Sequence, residues 1–319
     1  MNQAIWTPLS LAVVLVVAVA MNLSAETKPS LEFKSSPSLQ TVVDRAANET
    51  LAKFAATKLE TNQLAITFVD LRDRDKPEWA SFRGGEQVYP ASVVKLFYLV
   101  AAHRWMEDGQ LPDTEELRRA MRDMIVDSYN EATGLIVDSL TDTTSGPELP
   151  PNELEKWYDQ RNAVNRYFAS LGYKNINVNR KPWCEGPYGR EMQSVKAHKP
   201  NHRNWLTSEA TAQLLTEIAT GRAVSRERSR QMIKLLQRRP FDKDAESQSR
   251  EYTGKALPEG AKLWSKAGWT SETRHDAAYV ELPGGERFVL VVFTTDHANA
   301  HDIIPALARA VIEARYPTQ

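Results

Sequence analysis

The hydrophobic and polar positions of this chain change between helical and strand spacing in a simple order. Apolar residues at helical spacing predict an amphipathic helix over 41–59. Two apolar segments, 64–71 and 79–83, flank a charged turn and predict a β-hairpin. Further helices are predicted over 90–105, 117–126, 131–140, 152–171, 207–220 and 225–238. The chain then continues with predicted strands 262–269, 275–282 and 287–295 and a last helix, 303–315.

This order predicts an α+β fold with an antiparallel five-stranded sheet built from both ends of the chain. Helices at the N- and C-terminal ends flank the sheet, and an all-helical lobe is inserted between its two halves. We therefore expect one catalytic domain over 41–319, with a sheet lobe formed by 41–88 and 260–319 and a helical lobe formed by 89–259. Residues 173–199 lack regular spacing and predict a long loop, which in a compact domain is more often functional than idle.

The N-terminal segment predicts export. An apolar run over residues 9–21 has the length of a signal-peptide core and is too short for a membrane span. Residues 1–25 contain no lysine or arginine, which is unusual for a signal peptide, so an uncleaved anchor or a buried helix stays open. We expect a signal peptide over 1–25, cleaved near Ala25, a flexible tether over 26–40, a periplasmic or extracellular bacterial location, and no stable membrane span after cleavage.

Composition narrows the class of partner. The 319 residues are 42% hydrophobic and 25% charged, which is ordinary for a globular protein. The formal net charge of −1 gives no general attraction to nucleic acid. Cys184 is the single cysteine, so there is no internal disulfide framework, and no lipoprotein cysteine follows the apolar run.

Two polar residues interrupt the very apolar helix predicted after Pro90. Ser92 and Lys95 are three positions apart, which places both side chains on one helix face. Burial would lower the pKa of the Lys95 amine and make it a proton acceptor, and a helix start favours an attacking alkoxide. The alternative is an ordinary core helix whose lysine extends to solvent, because this spacing also arises by chance.

Two downstream segments could complete a site around Ser92. Ser128 and Asn130 lie at a predicted helical corner, where a hydroxyl can pass on a proton and an amide can hold a substrate amide. Lys266 and Gly268 lie on the strand 262–269, where the lysine adds positive charge and the glycine admits a substrate backbone. The N–H groups of Ser92 and Trp269 could then form an oxyanion hole.

The order S-x-x-K, S-x-N and K-x-G resembles the penicillin-recognising serine hydrolases, and most closely the class A β-lactamases. The resemblance covers about 41–315. It implies that Ser92 is the acylated nucleophile and Lys95 its proton acceptor, and that Ser128 and Lys266 pass the proton to the departing nitrogen. It also implies that Asn130, Gly268, Trp269 and Thr270 bind the substrate.

Three departures from the class A pattern bear on turnover. Tyr129 replaces the aspartate of S-D-N, as in penicillin-binding proteins, and Ala267 replaces the hydroxyl residue of K-T-G, for which Thr270 or Ser271 could compensate. The loop 180–191 lacks the E-x-x-L-N context of the class A deacylating glutamate. Glu185 is the preferred candidate for that base and Glu191 the second, against a solvated loop carboxylate.

Three functions follow as hypotheses. The first is a secreted serine hydrolase that hydrolyses β-lactams, a reaction on a cyclic amide, through an acyl-enzyme on Ser92. The second is a peptidoglycan D,D-peptidase or a related acyl-transfer hydrolase, favoured by Tyr129 and the missing loop motif. The third is a non-catalytic wall- or penicillin-binding protein, suggested by Ala267.

Other features of the sequence are given less weight. The pairs His198/His202 and His297/His301 have the spacing of metal ligands but lack the glutamate of H-E-x-x-H, so no metal and no cofactor is expected. The arginines between 222 and 239 predict a solvated helix face, with an anionic wall polymer as the alternative partner. Arg274 or His275 could supply a cation for a substrate carboxylate. We expect a monomer that acts on a small-molecule β-lactam or a peptidoglycan peptide.

Overall fold

The structure is a computed structural model and describes residues 31–183 and 186–317. The predicted signal peptide, the first part of the predicted tether, Cys184 and Glu185 lie outside these described residues. Within them, no helix is both long and apolar enough to cross a membrane.

The described residues contain a seven-stranded sheet rather than the predicted five-stranded one. Its order is β1-β3-β2-β7-β6-β5-β4, and the strands are β1 Lys34–Ser35, β2 Leu64–Asp70, β3 Glu78–Phe82, β4 Gln237–Arg238, β5 Lys262–Trp269, β6 Arg274–Glu281 and β7 Arg287–Thr294. The five central strands pair antiparallel, as the sequence predicts. The difference is at the two edges, where β1 pairs parallel with β3 and β4 pairs antiparallel with β5.

The helices account for most of the rest of the described chain. They are α1 Pro37–Lys53, α2 Lys95–Glu107, α3 Glu115–Arg122, α4 Asn130–Thr141, α5 Pro151–Arg161, α6 Ala163–Ser170, α7 Gly189–Ala197, α8 Ser208–Ala219, α9 Arg226–Leu236, α10 Ser247–Arg250 and α11 Ile303–Arg315. Side-chain hydroxyls cap three of them, from Thr114, Thr207 and Ser225. Short 3-10 turns and one π-helical turn, Asp123–Asp127, join the others.

Several predicted boundaries are wrong for identifiable reasons. The predicted tether 26–40 is partly structured, because Lys34–Ser35 pairs with β3 and Pro37 begins α1. The predicted helix 152–171 is two helices that meet at Asn162. The predicted loop 173–199 contains α7, which starts at Gly189, a residue with a φ of +49°.

Both faces of the sheet are buried. Val69, Val291 and Phe293 pack towards the helical lobe, whereas Phe68, Leu290 and Val292 pack in a second core with residues of α1 and α11. Burial on both faces explains why β2 and β7 have continuous apolar runs instead of an alternating pattern. The sheet therefore forms a layer between the helical lobe and the pair α1/α11, and α2 packs in the core on the lobe side.

Candidate active site

Ser92 lies in a 3-10 turn, Ala91–Val94, directly before α2. The backbone N–H of Lys95 bonds to the carbonyl of Ser92, so the sequence correctly places both residues on one helical segment. Ala91 has a φ of +46°, a left-handed conformation that costs a non-glycine residue about 1–3 kcal/mol. The structure around this turn must compensate for that strain, and the turn is where the predicted nucleophile is held.

One buried histidine fixes the chain just before this turn. His275 Nε2 lies 2.9 Å from the carbonyl oxygen of Tyr89, and the Thr294 N–H donates to His275 Nδ1 at 3.1 Å. Because Nδ1 accepts the Thr294 N–H, it carries no proton. The proton of the neutral ring is therefore on Nε2, which donates to the Tyr89 carbonyl oxygen. Burial lowers the pKa of His275 to about 4, which keeps this neutral form at neutral pH. His275 therefore holds the Ser92 turn and does not supply a cation for substrate.

Strand β5 approaches the Ser92 turn at Gly268. A Cβ at this position would lie 2.8 Å from the Pro90 carbonyl oxygen and 2.9 Å from the Ser92 backbone nitrogen. No side chain fits at such distances, so only glycine lets the strand and the turn meet. The end of β5 thus runs beside the N–H of Ser92, as an oxyanion hole with Trp269 requires.

Lys95 forms hydrogen bonds with the residues of the helical corner, Ser128 and Asn130. Its side chain is fully buried, and its Nζ donates to the Ser128 carbonyl oxygen at 2.6 Å and to Asn130 Oδ1 at 2.8 Å. The same Nζ lies 3.2 Å from Ser128 Oγ. The first two sequence motifs therefore meet at one amine.

Lys266 approaches the same hydroxyl from the sheet. Its Nζ is 3.0 Å from Ser128 Oγ and also bonds to Gln248 Oε1 at 2.9 Å and to the Ala267 carbonyl oxygen at 2.7 Å. Complete burial, and then the nearby cations Lys95 and Arg238, lower the pKa of Lys266 well below its ordinary value. Ser128 Oγ therefore lies between two amines, one of which gives up its proton readily.

The corner that carries Ser128 is held by buried polar contacts. Ser128 has a φ of +60°, and it follows the π-helical turn Asp123–Asp127. The Arg238 guanidinium donates to the carbonyl oxygens of Ile125 (2.9 Å) and Ser265 (3.0 Å), which ties the corner to β5. Arg238 is buried, so it does not belong to the solvated basic face predicted for this part of the sequence.

The sequence of the chain decides the family. The sequence profile described as "Beta-lactamase enzyme family" matches residues 112–314, well over half of the chain. The chain belongs to the beta-lactamase enzyme family. It is therefore a β-lactamase-like serine hydrolase, as the order of the three motifs predicts.

Solved structures agree with this β-lactamase family fold. A β-lactamase from Sphaerobacter thermophilus is 22% identical, with 86% of this chain and 97% of that chain covered and a TM-score of 0.60. A mutant of PBP-A in an acyl-enzyme complex with penicillin G is 17% identical, with 90% and 98% covered and a TM-score of 0.62. A class A β-lactamase from Bacteroides cellulosilyticus is 15% identical, with 86% and 98% covered and a TM-score of 0.58. The comparison with curated proteins gives no match.

The end of β5 and the turn that follows it form the predicted substrate-binding edge of this β-lactamase family member. Trp269 is 46% exposed. The Thr270 hydroxyl accepts the N–H groups of Glu272 and Thr273, both at 3.1 Å, so it stabilises the turn to β6. Arg274, the other cation considered for a substrate carboxylate, pairs instead with Glu251 and stacks 3.9 Å from the Tyr252 ring.

Of the two glutamates considered as the deacylating base, Glu191 is the one that lies among the described residues. Glu185 lies outside the described residues. Glu191 is fully buried, pairs with Arg161 and Lys181, and accepts a hydrogen bond from Ser145 Oγ at 3.0 Å. A carboxylate so engaged is part of a structural ion cluster, which argues against Glu191 as the base.

Sequence reasoning missed two buried residues beside Lys266. Gln248 lies on the four-residue helix α10, and Asp276 lies on β6 opposite Ala267. Neither belongs to a recognisable motif, and α10 is too short to give a periodic signal, so only the three-dimensional structure reveals them. Among the described residues, no group of three or more His, Cys, Asp or Glu side chains is placed to hold a metal ion.

Proposed function

We propose that this protein is a secreted serine β-lactam hydrolase that acts through an acyl-enzyme on Ser92. The observation that supports this most directly is the Ser128 hydroxyl, which lies 3.2 Å from Lys95 Nζ and 3.0 Å from Lys266 Nζ. Gly268, against the backbone nitrogen of Ser92, brings the substrate-binding strand to the same place. A nucleophile, a proton acceptor and a proton donor are thus available for acyl transfer.

In the acylation step, the Ser92 hydroxyl loses its proton to Lys95 and its oxygen attacks the lactam carbonyl carbon. The N–H groups of Ser92 and Trp269 stabilise the resulting oxyanion. The lactam C–N bond then breaks as the nitrogen takes a proton from Ser128, which recovers one from the neighbouring lysine amines. Asn130 binds the substrate side-chain amide, and Thr270 lies at the carboxylate end of the substrate.

In the deacylation step, Glu185 activates a water that attacks the acyl-enzyme. The support comes from the residues that precede it in the loop. Lys181 Nζ donates to Asp138 Oδ2 at 2.6 Å, and a Cβ on Gly134 would lie 3.7 Å from Lys181 Cδ. Gly134 is about one turn along α4 from Asn130, so the loop crosses α4 next to the site only four residues before Glu185.

Nitrocefin turnover by the purified mature chain tests the proposal. We expect steady-state hydrolysis in the wild type and none in Ser92→Ala. Glu185→Gln should still be acylated, seen as the mass of bound penicillin in the intact protein, but should release it very slowly. Glu153→Gln, an exposed glutamate on α5, is the matched control and should turn over normally. A wild-type chain that never gains the mass of a bound β-lactam would contradict the proposal.

A D,D-peptidase is the second candidate, and Tyr129 favours it. This residue is 58% exposed at the corner between Ser128 and Asn130, where class A enzymes have an aspartate. One structural neighbour, PBP-A, forms an acyl-enzyme with penicillin G in a mutant form. Release of D-alanine from a muramyl peptide, together with a nitrocefin burst and no steady state, would favour this function. Because the chain belongs to a family of enzymes, we do not propose the third hypothesis, a non-catalytic wall- or penicillin-binding protein.

Export and the monomeric state belong to the same proposal. Residues 1–25 have the apolar core of a signal peptide, and an enzyme that acts on β-lactams or on peptidoglycan works outside the cytoplasm. N-terminal sequencing of the protein from a periplasmic extract should begin near Glu26. Sedimentation should give the mass of a single chain.

A further inference from the structure

Gln248 joins the two walls of the candidate active site. Its Oε1 accepts from Lys266 Nζ at 2.9 Å and from the Ala267 N–H at 3.3 Å, both on β5. Its Nε2 donates to the Val126 carbonyl oxygen at 3.0 Å, in the turn that precedes Ser128. Because a lysine amine and an N–H are donors and a carbonyl is an acceptor, these partners fix which end of the amide is which.

The charges around Lys266 make a neutral partner at this position significant. Lys95 faces Lys266 from α2, Arg238 faces it from β4, and the carboxyl of Asp276 faces it from β6. The hydrogen bonds of Lys266 Nζ go to uncharged groups, which are the Ser128 hydroxyl at the corner, the Gln248 amide on α10 and the Ala267 carbonyl oxygen. Thus three buried cations lie near one buried carboxyl, and Arg238 has a second, half-exposed carboxylate partner in Glu246. The group that accepts from Lys266 on α10 carries no charge.

A neutral acceptor has two consequences for an amine. It orients the Nζ towards Ser128 by a hydrogen bond, and it does not add the Coulomb attraction by which a carboxylate would hold a proton on Lys266. A glutamate at 248 could still accept from Lys266 and the Ala267 N–H. It could not donate to the Val126 carbonyl, so the link to the Ser128 corner would be lost.

We propose that Gln248 is a positioning residue that directs Lys266 onto the Ser128 hydroxyl while leaving the lysine able to release its proton. The proton that leaves Lys266 passes to Ser128 as Ser128 gives its own proton to the departing lactam nitrogen. Lys266 changes from ammonium to amine, the nitrogen becomes N–H, and Ser128 is unchanged. This inference rests on the proposed function for its chemistry, but the effect of Gln248 on Lys266 can be measured without substrate.

The first test is an NMR titration of protein labelled with ¹³C at the lysine ε-carbons. The Lys266 signal is assigned by its loss in Lys266→Met. We expect a midpoint well below that of an ordinary lysine in the wild type and a rise of about one pH unit or more in Gln248→Glu, because an opposite charge within a few ångströms has an effect of this size. Gln237→Glu makes the same change at an exposed position on β4 and should leave the midpoint in place.

A second variant at the same position keeps the test decisive even if Gln248→Glu fails to fold. Gln248→Met keeps the length of the side chain and removes its polar contacts, so the midpoint of Lys266 should fall rather than rise. The proposal predicts opposite shifts in the two variants. If Gln248 only supports the fold, both variants lower the melting temperature and neither moves the midpoint, and that result overturns the proposal.

The pH profile of Ser92 acylation by a fluorescent penicillin supplies the functional readout. The limb that reports loss of the Lys266 proton should move to higher pH in Gln248→Glu and to lower pH in Gln248→Met. Failure of the proposed function has a different signature, because wild-type Ser92 would then not be labelled at any pH while the NMR shifts persist. Labelling with an unchanged limb in both variants contradicts the role of Gln248.

Discussion

At the residue scale, Ser128 is the group that the two lysines share. Both amines are fully buried and lie within 3.2 Å of its hydroxyl oxygen, so this oxygen links the helical corner directly to β5 through Lys266. A positioned proton donor of this kind contributes about 10²–10⁴-fold to a reaction rate. We therefore expect Ser128→Ala to slow acylation by a fluorescent penicillin by a factor in that range.

The control for this prediction is Ser139→Ala on α4, whose hydroxyl donates to the Leu135 carbonyl oxygen of the same helix at 2.9 Å. That variant should acylate as fast as the wild type. Acylation of Ser128→Ala within a factor of two or three of wild type would show that the hydroxyl does not carry the proton.

The close approach of Gly268 to the Ser92 turn leads to a second prediction for a single residue. A methyl group at 268 would lie within 3.0 Å of the Pro90 carbonyl oxygen and of the Ser92 and Val93 nitrogens, all backbone atoms that cannot turn away. Gly268→Ala must push β5 and the Ser92 turn apart, and overpacking of this kind costs about 1–3 kcal/mol. We expect a lower free energy of unfolding in urea and slower acylation. Gly85→Ala, where the nearest atom lies 3.9 Å from the new Cβ, should change neither.

At the scale of elements, a buried ion cluster anchors the loop that leads to Glu185. Arg161 on α5 pairs with Glu191 on α7 and with Asp138 on α4, and Lys181 of the loop contacts both carboxylates. Arg161 and Glu191 are fully buried, so loss of the Glu191 charge leaves two cations, Arg161 and Lys181, with Asp138 as the one remaining carboxylate of the cluster. Breaking a buried pair costs about 3–5 kcal/mol.

We therefore predict that Glu191→Gln lowers the free energy of unfolding by about that amount, as measured in urea. It should also slow deacylation more than acylation, because the loop is displaced while Ser92 and Lys95 remain in place. Glu116→Gln removes an exposed partner of Arg119 and should cost less than about 1 kcal/mol. Equal effects of the two variants would show that the cluster does not anchor the loop.

The elements also show how far the sequence can predict the fold. Long apolar or periodic segments gave β5 and α11 with their observed bounds. The two-residue strands β1 and β4 and the short helix α10 were not predicted, because they form where a neighbouring strand or loop offers partners rather than from their own pattern.

The candidate site likewise contains some residues that the sequence motifs predict and others that they do not. Lys95, Ser128, Asn130 and Lys266 belong to motifs, and the structure brings these four together. Gln248 and Arg238 belong to no motif and contact the site through backbone carbonyls and one lysine amine. Contacts of this kind depend on distant segments of chain, so local spacing cannot indicate them. The roles of the motif residues stay predictions until the variants are measured.

At the scale of the whole molecule, the site lies where the sheet and the helical lobe meet. β5 belongs to the sheet, and the turn before Ser128 belongs to the helical lobe. Arg238 and Gln248 bond to both, so buried polar contacts, and not apolar packing alone, set the separation of the two parts at the site. Such contacts are directional and leave fewer alternative arrangements than apolar contacts do.

Three buried histidines make the stability of the whole molecule depend on pH. Burial lowers the pKa of His103 and His275 to about 4 and that of His202 to about 3. In the unfolded chain each has a pKa near 6.5, so below that pH the unfolded state binds more protons than the folded state. Each histidine therefore reduces stability as the pH falls from about 6.5 towards its folded pKa.

We predict that the urea midpoint falls between pH 7 and pH 5 and that His103→Leu makes this fall shallower. His103 is the suitable position because it lies on α2 away from the hydrogen bonds that hold Tyr89, and leucine is apolar and of similar size. The raised pKa values of the buried Asp276 and Glu217 act in the opposite direction, so the difference in slope between variant and wild type is the quantity to compare. Parallel curves for His103→Leu and wild type would mean that protonation of His103 does not oppose folding, and the acid sensitivity would then have to come from His202 and His275.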